Sequence, residues 1–282
     1  MARIAVVTDS VSNIPPDVAA QHRITVVPIY LTWDGRSYRD GVDITPEEVY
    51  RRLRLSATLP RTAAPSAGDF VQTYLQLARE AEHIVSVHIA KELSGTVGAA
   101  QIAAEMVKDV VPVHVVDSGT AAMASGFVAL AAARAVADGA DVKRAIAAAE
   151  AVRDKVQLLV ALDTLSYLQR AGRIGRAASL VGNAVQIKPI VTIREHVVDV
   201  AGKPRTMARA LRMIMDGMHR AAQGRPLHVA VMHAGTPEAA DAFRRQIEAE
   251  FTCAELLTTD FTPVMGVSAG PGLLGTAFYP DE

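Results

Sequence analysis

Short runs of β-branched and aliphatic residues alternate along the chain with longer stretches of helical periodicity, the pattern of strands joined by helical crossovers. Strands are expected at Ile4 to Thr8, Ile24 to Leu31, Ile84 to His88, Val113 to Asp117, Leu158 to Leu162, Ile187 to Ile193 and Leu227 to His233. Several are so continuously apolar that burial on both faces is expected. Thr45-Pro46-Glu47-Glu48 opens a helix with a capping box and Pro at the first helical position. Ser66 starts a helix expected to run to about Glu82, and Pro237 one that runs to about Glu250. Ala121 to Ala137, with Asp138-Gly139 after it, reads as a buried helix followed by a turn.

The amphipathic segment Asp141 to Lys155 closes a first series of strands and helices, after which the alternation begins again. A domain boundary is therefore expected there, giving α/β domains over 1–155 and 156–282. The second contains a hairpin over Ile190 to Val200, a Gly-Lys-Pro turn at 202–204 and a helix from Thr206 to Ala222. Met207, Met213, Met215 and Met218 in that helix do not share one face, so they are read as structural.

Composition narrows the function classes. Half of the 282 residues are apolar, only 5% are aromatic, and 29 basic against 30 acidic residues leave a net charge of −1. No basic stripe is available for phosphate backbones and few rings for stacking on bases, so nucleic acid is not an expected partner. The single Cys253 supports neither an internal disulfide nor a thiolate zinc site. The N-terminal apolar run is short and stopped by Asp9, unlike a signal peptide or membrane span, so a cytoplasmic protein without membrane insertion is expected.

Two motif matches fail on context. Gly270-Pro271-Gly272-Leu273-Leu274-Gly275 fits a dinucleotide fingerprint, but only seven residues follow it, too few for the helix and acidic residue the motif requires. It reads instead as a glycine turn entering a final strand. Gly266-Val267-Ser268-Ala269-Gly270 fits a nucleophile elbow, but no histidine follows Ser268. His83/His88 and His228/His233 are each five apart, which on a strand turns the rings to opposite faces, and no metal motif is present.

What remains are hydroxyls at strand ends and helix starts. Asp9-Ser10 and Asp117-Ser118 follow strands, where they either meet a ligand or cap the next turn. Leu93-Ser94-Gly95-Thr96 enters a helical pattern and offers a hydroxyl and free amides suited to a carboxylate or phosphate oxygen. Thr62 lies in a loop before another helix.

Taken together, these motifs resemble the DegV family of bacterial fatty-acid-binding proteins, the acyl carriers of the fatty acid kinase system. The resemblance runs through Thr8-Asp9-Ser10, Thr62 with Pro65-Ser66, Leu93-Ser94-Gly95-Thr96, Val116-Asp117-Ser118, Leu165 and Leu168 with Gly172-Arg173-Ile174, Lys188-Pro189-Ile190 and Gly270-Pro271-Gly272. It implies two α/β domains, the first with a mostly parallel sheet between helices and the second with a mixed sheet, and a long-chain fatty acid held between them. It further implies that Thr62 and Ser94 hold the carboxylate, with Gly95, Thr96 and Ser268 beside them. No cofactor or chemistry of the carrier's own is expected, and Arg205 is expected to engage the kinase. The chain departs from the family pattern at Ala63-Ala64, at Ala171, and at Ser268, where a His is usual. The competing expectation is a small-molecule enzyme using the same crevice, either a hydrolase around Ser268 or a phosphotransferase around Asp9 and Ser94.

Overall fold

The structure, a computed structural model, describes residues 3–55, 58, 60–180 and 187–281. In chain order its first half contains β1 (Ile4–Asp9), α1 (Pro16–Gln21), β2 (Ile24–Val27), β3 (Tyr30–Trp33), β4 (Arg36–Arg39), α2 (Pro46–Leu55), β5 (Arg61–Ala63) and α3 (Ala67–Leu77). There follow β6 (His83–His88), α4 (Thr96–Val107), β7 (Val113–Asp117), α5 (Ala122–Ala137) and α6 (Val142–Arg153). The second half contains β8 (Gln157–Ala161), α7 (Ser166–Arg170), β9 (Ile190–Arg194), β10 (Val197–Gly202), α8 (Met207–Ala222), β11 (Leu227–His233), α9 (Pro237–Glu250), β12 (Cys253–Asp260), α10 (Pro263–Ala269) and β13 (Leu274–Pro280).

Strands β2-β1-β6-β7 form a parallel four-stranded sheet, and β10-β9-β8-β13-β11-β12 form a mixed six-stranded one. Period-2 alternation distributes each strand between two cores. On β6, Val85 and Val87 face the core around α5, while Ile84 faces the one made with α3 and α4. On the six-stranded sheet, Leu158 and Val160 of β8 face α5, whereas Ala161 packs with the α8 and α9 side chains. Helix α5 therefore lies between the sheets, buried from Ala122 to Ala133, which explains its all-round apolar sequence. Its backbone comes so close to the turn after β1 that a Cβ on Gly126 would stand 2.5 Å from the Ser12 carbonyl oxygen.

Two expectations need revision. The run Ile24 to Leu31 is not one strand, because Pro28 has no N–H for the ladder. The chain leaves the first sheet there, Ile29 donates its N–H to Ser10 Oγ (3.0 Å), and β3 begins a separate three-stranded antiparallel sheet, β4-β3-β5. The helix from Ser66 stops at Leu77, and by Glu82 the backbone donates to Arg3 O (2.7 Å) as it enters β6. No helix among the described residues is long and apolar enough to cross a membrane.

Candidate functional site

A cavity of about 860 Å3, its open mouth included, lies between α5 and the inner face of the six-stranded sheet. Leu158, Val160 and Leu162 line it at alternate positions, joined by Val191 and Ile193 of β9 and Val198 of β10, so strand periodicity itself produces an aliphatic wall. Ala121 and Ala122 face that wall from the start of α5, where small side chains leave space.

Polar side chains belong to a few of the segments that line it. Strand β5 brings Thr62, α10 brings Ser268, and the turn before α4 brings Ser94, all lining the one cavity. Ser94 Oγ lies 2.8 Å from Thr96 Oγ1, while Ser268 Oγ donates back along its helix to Val264 O (3.0 Å). Gly95 and Thr96 do not line the space: Gly95 is the N-cap of α4 beside Ala64, and Thr96 is fully buried behind Ser94. Arg205 lies elsewhere, exposed in the turn between β10 and α8 and without an ion pair among the described residues.

Sequence reasoning assigned no role to Arg173, which also lines the cavity. Its Nε donates to Leu93 O (3.2 Å) and its Nη1 to Ala171 O (2.6 Å), tying the segment after α7 to the turn that carries Ser94. Nη2 carries no hydrogen bond among the described residues, so the guanidinium brings both a donor and a positive charge to a group of hydroxyls. Its position in a Gly-Arg-Ile motif was the only sequence signal for it. Residue His196, at the β9–β10 turn, approaches the same region: its Nδ1 is 3.3 Å from Glu92 Oε2 and 3.4 Å from Asp117 Oδ2. This trio joins three distant segments, so no spacing motif announced it.

The strand-end Asp-Ser pairs serve the fold. Asp117 Oδ1 accepts from Gly119 N–H (2.9 Å), and Asp9 Oδ1 from Val11 N–H (3.0 Å). Asp9 Oδ2 also receives Ile89 N–H (3.1 Å) and lies 3.0 Å from His88 Nδ1; His88 Nε2 is 2.7 Å from Ser86 Oγ, which is 2.8 Å from the Tyr74 hydroxyl. The order Asp, His, Ser resembles a catalytic array, but all three side chains are sealed from solvent and the serine is engaged by Tyr74. Burial pushes the Tyr74 hydroxyl up to about 12, so it remains protonated.

Comparison with known proteins extends over nearly the whole molecule. The profile of the DegV family matches residues 3–281. A DegV domain-containing protein of Streptomyces coelicolor is 35% identical, the match covering 96% of each chain. The protein DegV of Bacillus subtilis is 31% identical over 96% of this chain and 97% of its own. Two solved structures superimpose with TM-scores of 0.93: a fatty-acid-binding DegV family protein of Thermus thermophilus, 32% identical over 99% of this chain and 100% of its own, and DegV, a fatty-acid-binding protein of Bacillus subtilis, 30% identical over 100% of both. From a matching profile over residues 3–281 and whole-length relatives above 30% identity, the chain belongs to the DegV family.

Proposed function

We propose that the protein binds one long-chain fatty acid, with its acyl chain along the aliphatic wall and its carboxylate at the polar end. The carrying observation is that Thr62, Ser94, Ser268 and Arg173 line the same cavity as the Leu, Ile and Val residues of β8, β9 and β10. Both solved relatives of 30% identity or more described above are fatty-acid-binding proteins. Each buried methylene contributes about 0.8 kcal/mol, on the order of 10 kcal/mol gross for a long chain before ordering costs. The head-group contacts then need only orient the acid and offset its desolvation.

Ser94, oriented by Thr96, and Thr62 donate to the carboxylate, and Ser268 joins them by turning its hydroxyl from Val264 O. Arg173 supplies the charge that the family's usual His would bring at position 268. In this reading the protein is a carrier, not an enzyme, and presents the carboxylate to a fatty acid kinase that docks through the surface around Arg205. The domains of 1–155 and 156–282 form the two sides of the acyl site.

Native mass spectrometry of protein purified from a bacterial host is expected to show a bound long-chain acid. Protein that is empty and also takes up neither palmitate nor oleate would refute the carrier. For the kinase step, a fatty acid kinase is expected to phosphorylate the bound acid, and Arg205→Ala to lower that rate with the acid still bound.

A further inference from the structure

A second cavity opens at the C-terminal ends of the parallel strands β11 and β12, the usual position of a ligand crevice in α/β sheets. Glycine 235 turns the chain there with φ +68°, and the 14-residue helix α9 begins with Pro237 facing the cavity. Thr236, its N-cap, makes no side-chain capping bond, and the Glu238 and Ala239 amides have no helical acceptor.

A helix N-terminus alone does not make a site; the adjacent histidine supplies the independent sign. His233 ends β11 and lines the cavity with only 9% of its side chain exposed. Its Nδ1 is closed to solvent 3.2 Å from Asp260 Oδ1 without a hydrogen bond to it, and among the described residues none reaches Nε2. Nδ1 faces that carboxylate and is out of a ligand's reach, so Nε2 is the nitrogen that a ligand in the cavity would satisfy. Arg51 of α2 lines the rim, exposed and without an ion pair among the described residues.

The acid at the end of β12 defines the other half of the ligand. Asp260 Oδ1 already accepts from Gly235 N–H (3.2 Å) and lies 3.3 Å from the Tyr50 hydroxyl, whereas Oδ2 receives no hydrogen bond among the described residues. A free carboxylate oxygen repels a bare anion but accepts hydroxyls, as the acid at the second strand of nucleotide-binding βαβ units does for ribose. We propose that this cavity binds a phosphate monoester of a hydroxylated compound, with the phosphate held by the α9 amides, His233 and Arg51 and a hydroxyl on Asp260. The site is separate from the acyl cavity, which Phe261, the next residue, lines on the other side.

Isothermal titration with ribose 5-phosphate, AMP and inorganic phosphate tests this on the full chain. Saturable binding of ribose 5-phosphate or AMP is expected, and the tighter of the two separates a sugar phosphate from a nucleotide. Arg51→Ala, an exposed change that leaves the fold intact, is expected to weaken it about tenfold, one charge-assisted hydrogen bond. His233→Gln is expected to weaken it similarly at an unchanged melting temperature. Asp260→Asn should weaken the hydroxylated ligands and spare inorganic phosphate. No saturable binding at millimolar ligand, or affinities untouched by Arg51→Ala, would overturn the site; inorganic phosphate binding as tightly as ribose 5-phosphate would overturn the assignment of Asp260.

Discussion

The Tyr50 ring occupies the space that Gly266 leaves by having no side chain: a Cβ at 266 would stand 2.5 Å from Tyr50 Cε1. The tyrosine comes from α2 and the glycine from α10, so this contact seats the segment around the three-stranded sheet on the second half of the chain. The hydroxyl anchors it by donating to Phe261 O (2.8 Å), and burial beside Asp260 raises its pKa far beyond the ordinary tyrosine range. Gly266→Ala is expected to destabilise the protein by about 1–3 kcal/mol, the usual range for overpacking. Urea denaturation checks it. In a Tyr50→Ala background the same substitution should cost little, because the clashing ring is gone.

At the polar end of the acyl cavity, Arg173→Gln keeps a donor but removes the charge, whereas Ser94→Ala removes one hydroxyl. Arg173→Gln is expected to weaken oleate binding more, by about tenfold or above, and most strongly where the acid is ionised. Affinity measured across the fatty acid's titration range checks this. Equal affinity of the Arg173→Gln variant and the unaltered protein at high pH would remove Arg173 from the site.

Along the apolar wall, Val160→Phe fills space between α5 and β8. Each methylene no longer accommodated forfeits about 0.8 kcal/mol, so the acids extracted from the purified variant should be shorter than those from the unaltered protein. Gas chromatography of the extracted acids reads this directly, and an unchanged chain-length distribution would show that Val160 does not bound the acyl chain.

Asp40 gives the clearest pH dependence. Burial pushes its carboxyl up to about 6, outweighing the Val264 N–H that donates to Oδ1 (2.9 Å). Because the folded state then holds this proton more tightly than the unfolded chain, this group's contribution to stability falls as pH rises from about 4 to about 6 and is level above. Asp40→Asn keeps an acceptor for Val264 and removes the buried charge. It is expected to stabilise the protein by on the order of 3 kcal/mol at pH 8, with the gain vanishing near pH 4. Melting curves at the two pH values test it, and a gain of the same size at both would show that the charge is not its source.

Much of the fold was legible because it rests on short-range pattern. The strand runs at Ile84 to His88, Val113 to Asp117 and Leu227 to His233 declare themselves by continuous aliphatic residues, and α9 by Pro237 at its start. Strands β4 and β5, with sequences RSYR and RTA, carry no such pattern and exist because β3 lies between them. Strand β12 is an edge strand with a half-buried, mixed sequence, which hides it similarly.

The candidate site divides along the same line. Thr62, Ser94 and Ser268 could be named from motifs, since each lies in a short stretch whose pattern is written in adjacent residues. That they line one cavity, that Thr96 stands behind Ser94, and that Arg173 joins them are outcomes of packing between segments far apart in sequence. The sequence alone determined the alternation of strands and helices, the near-neutral aliphatic composition and the family. Tertiary structure decided where space remained, because a cavity is set by which side chains fail to meet, and that depends on the placement of α5 against a sheet assembled from β8, β9 and β10.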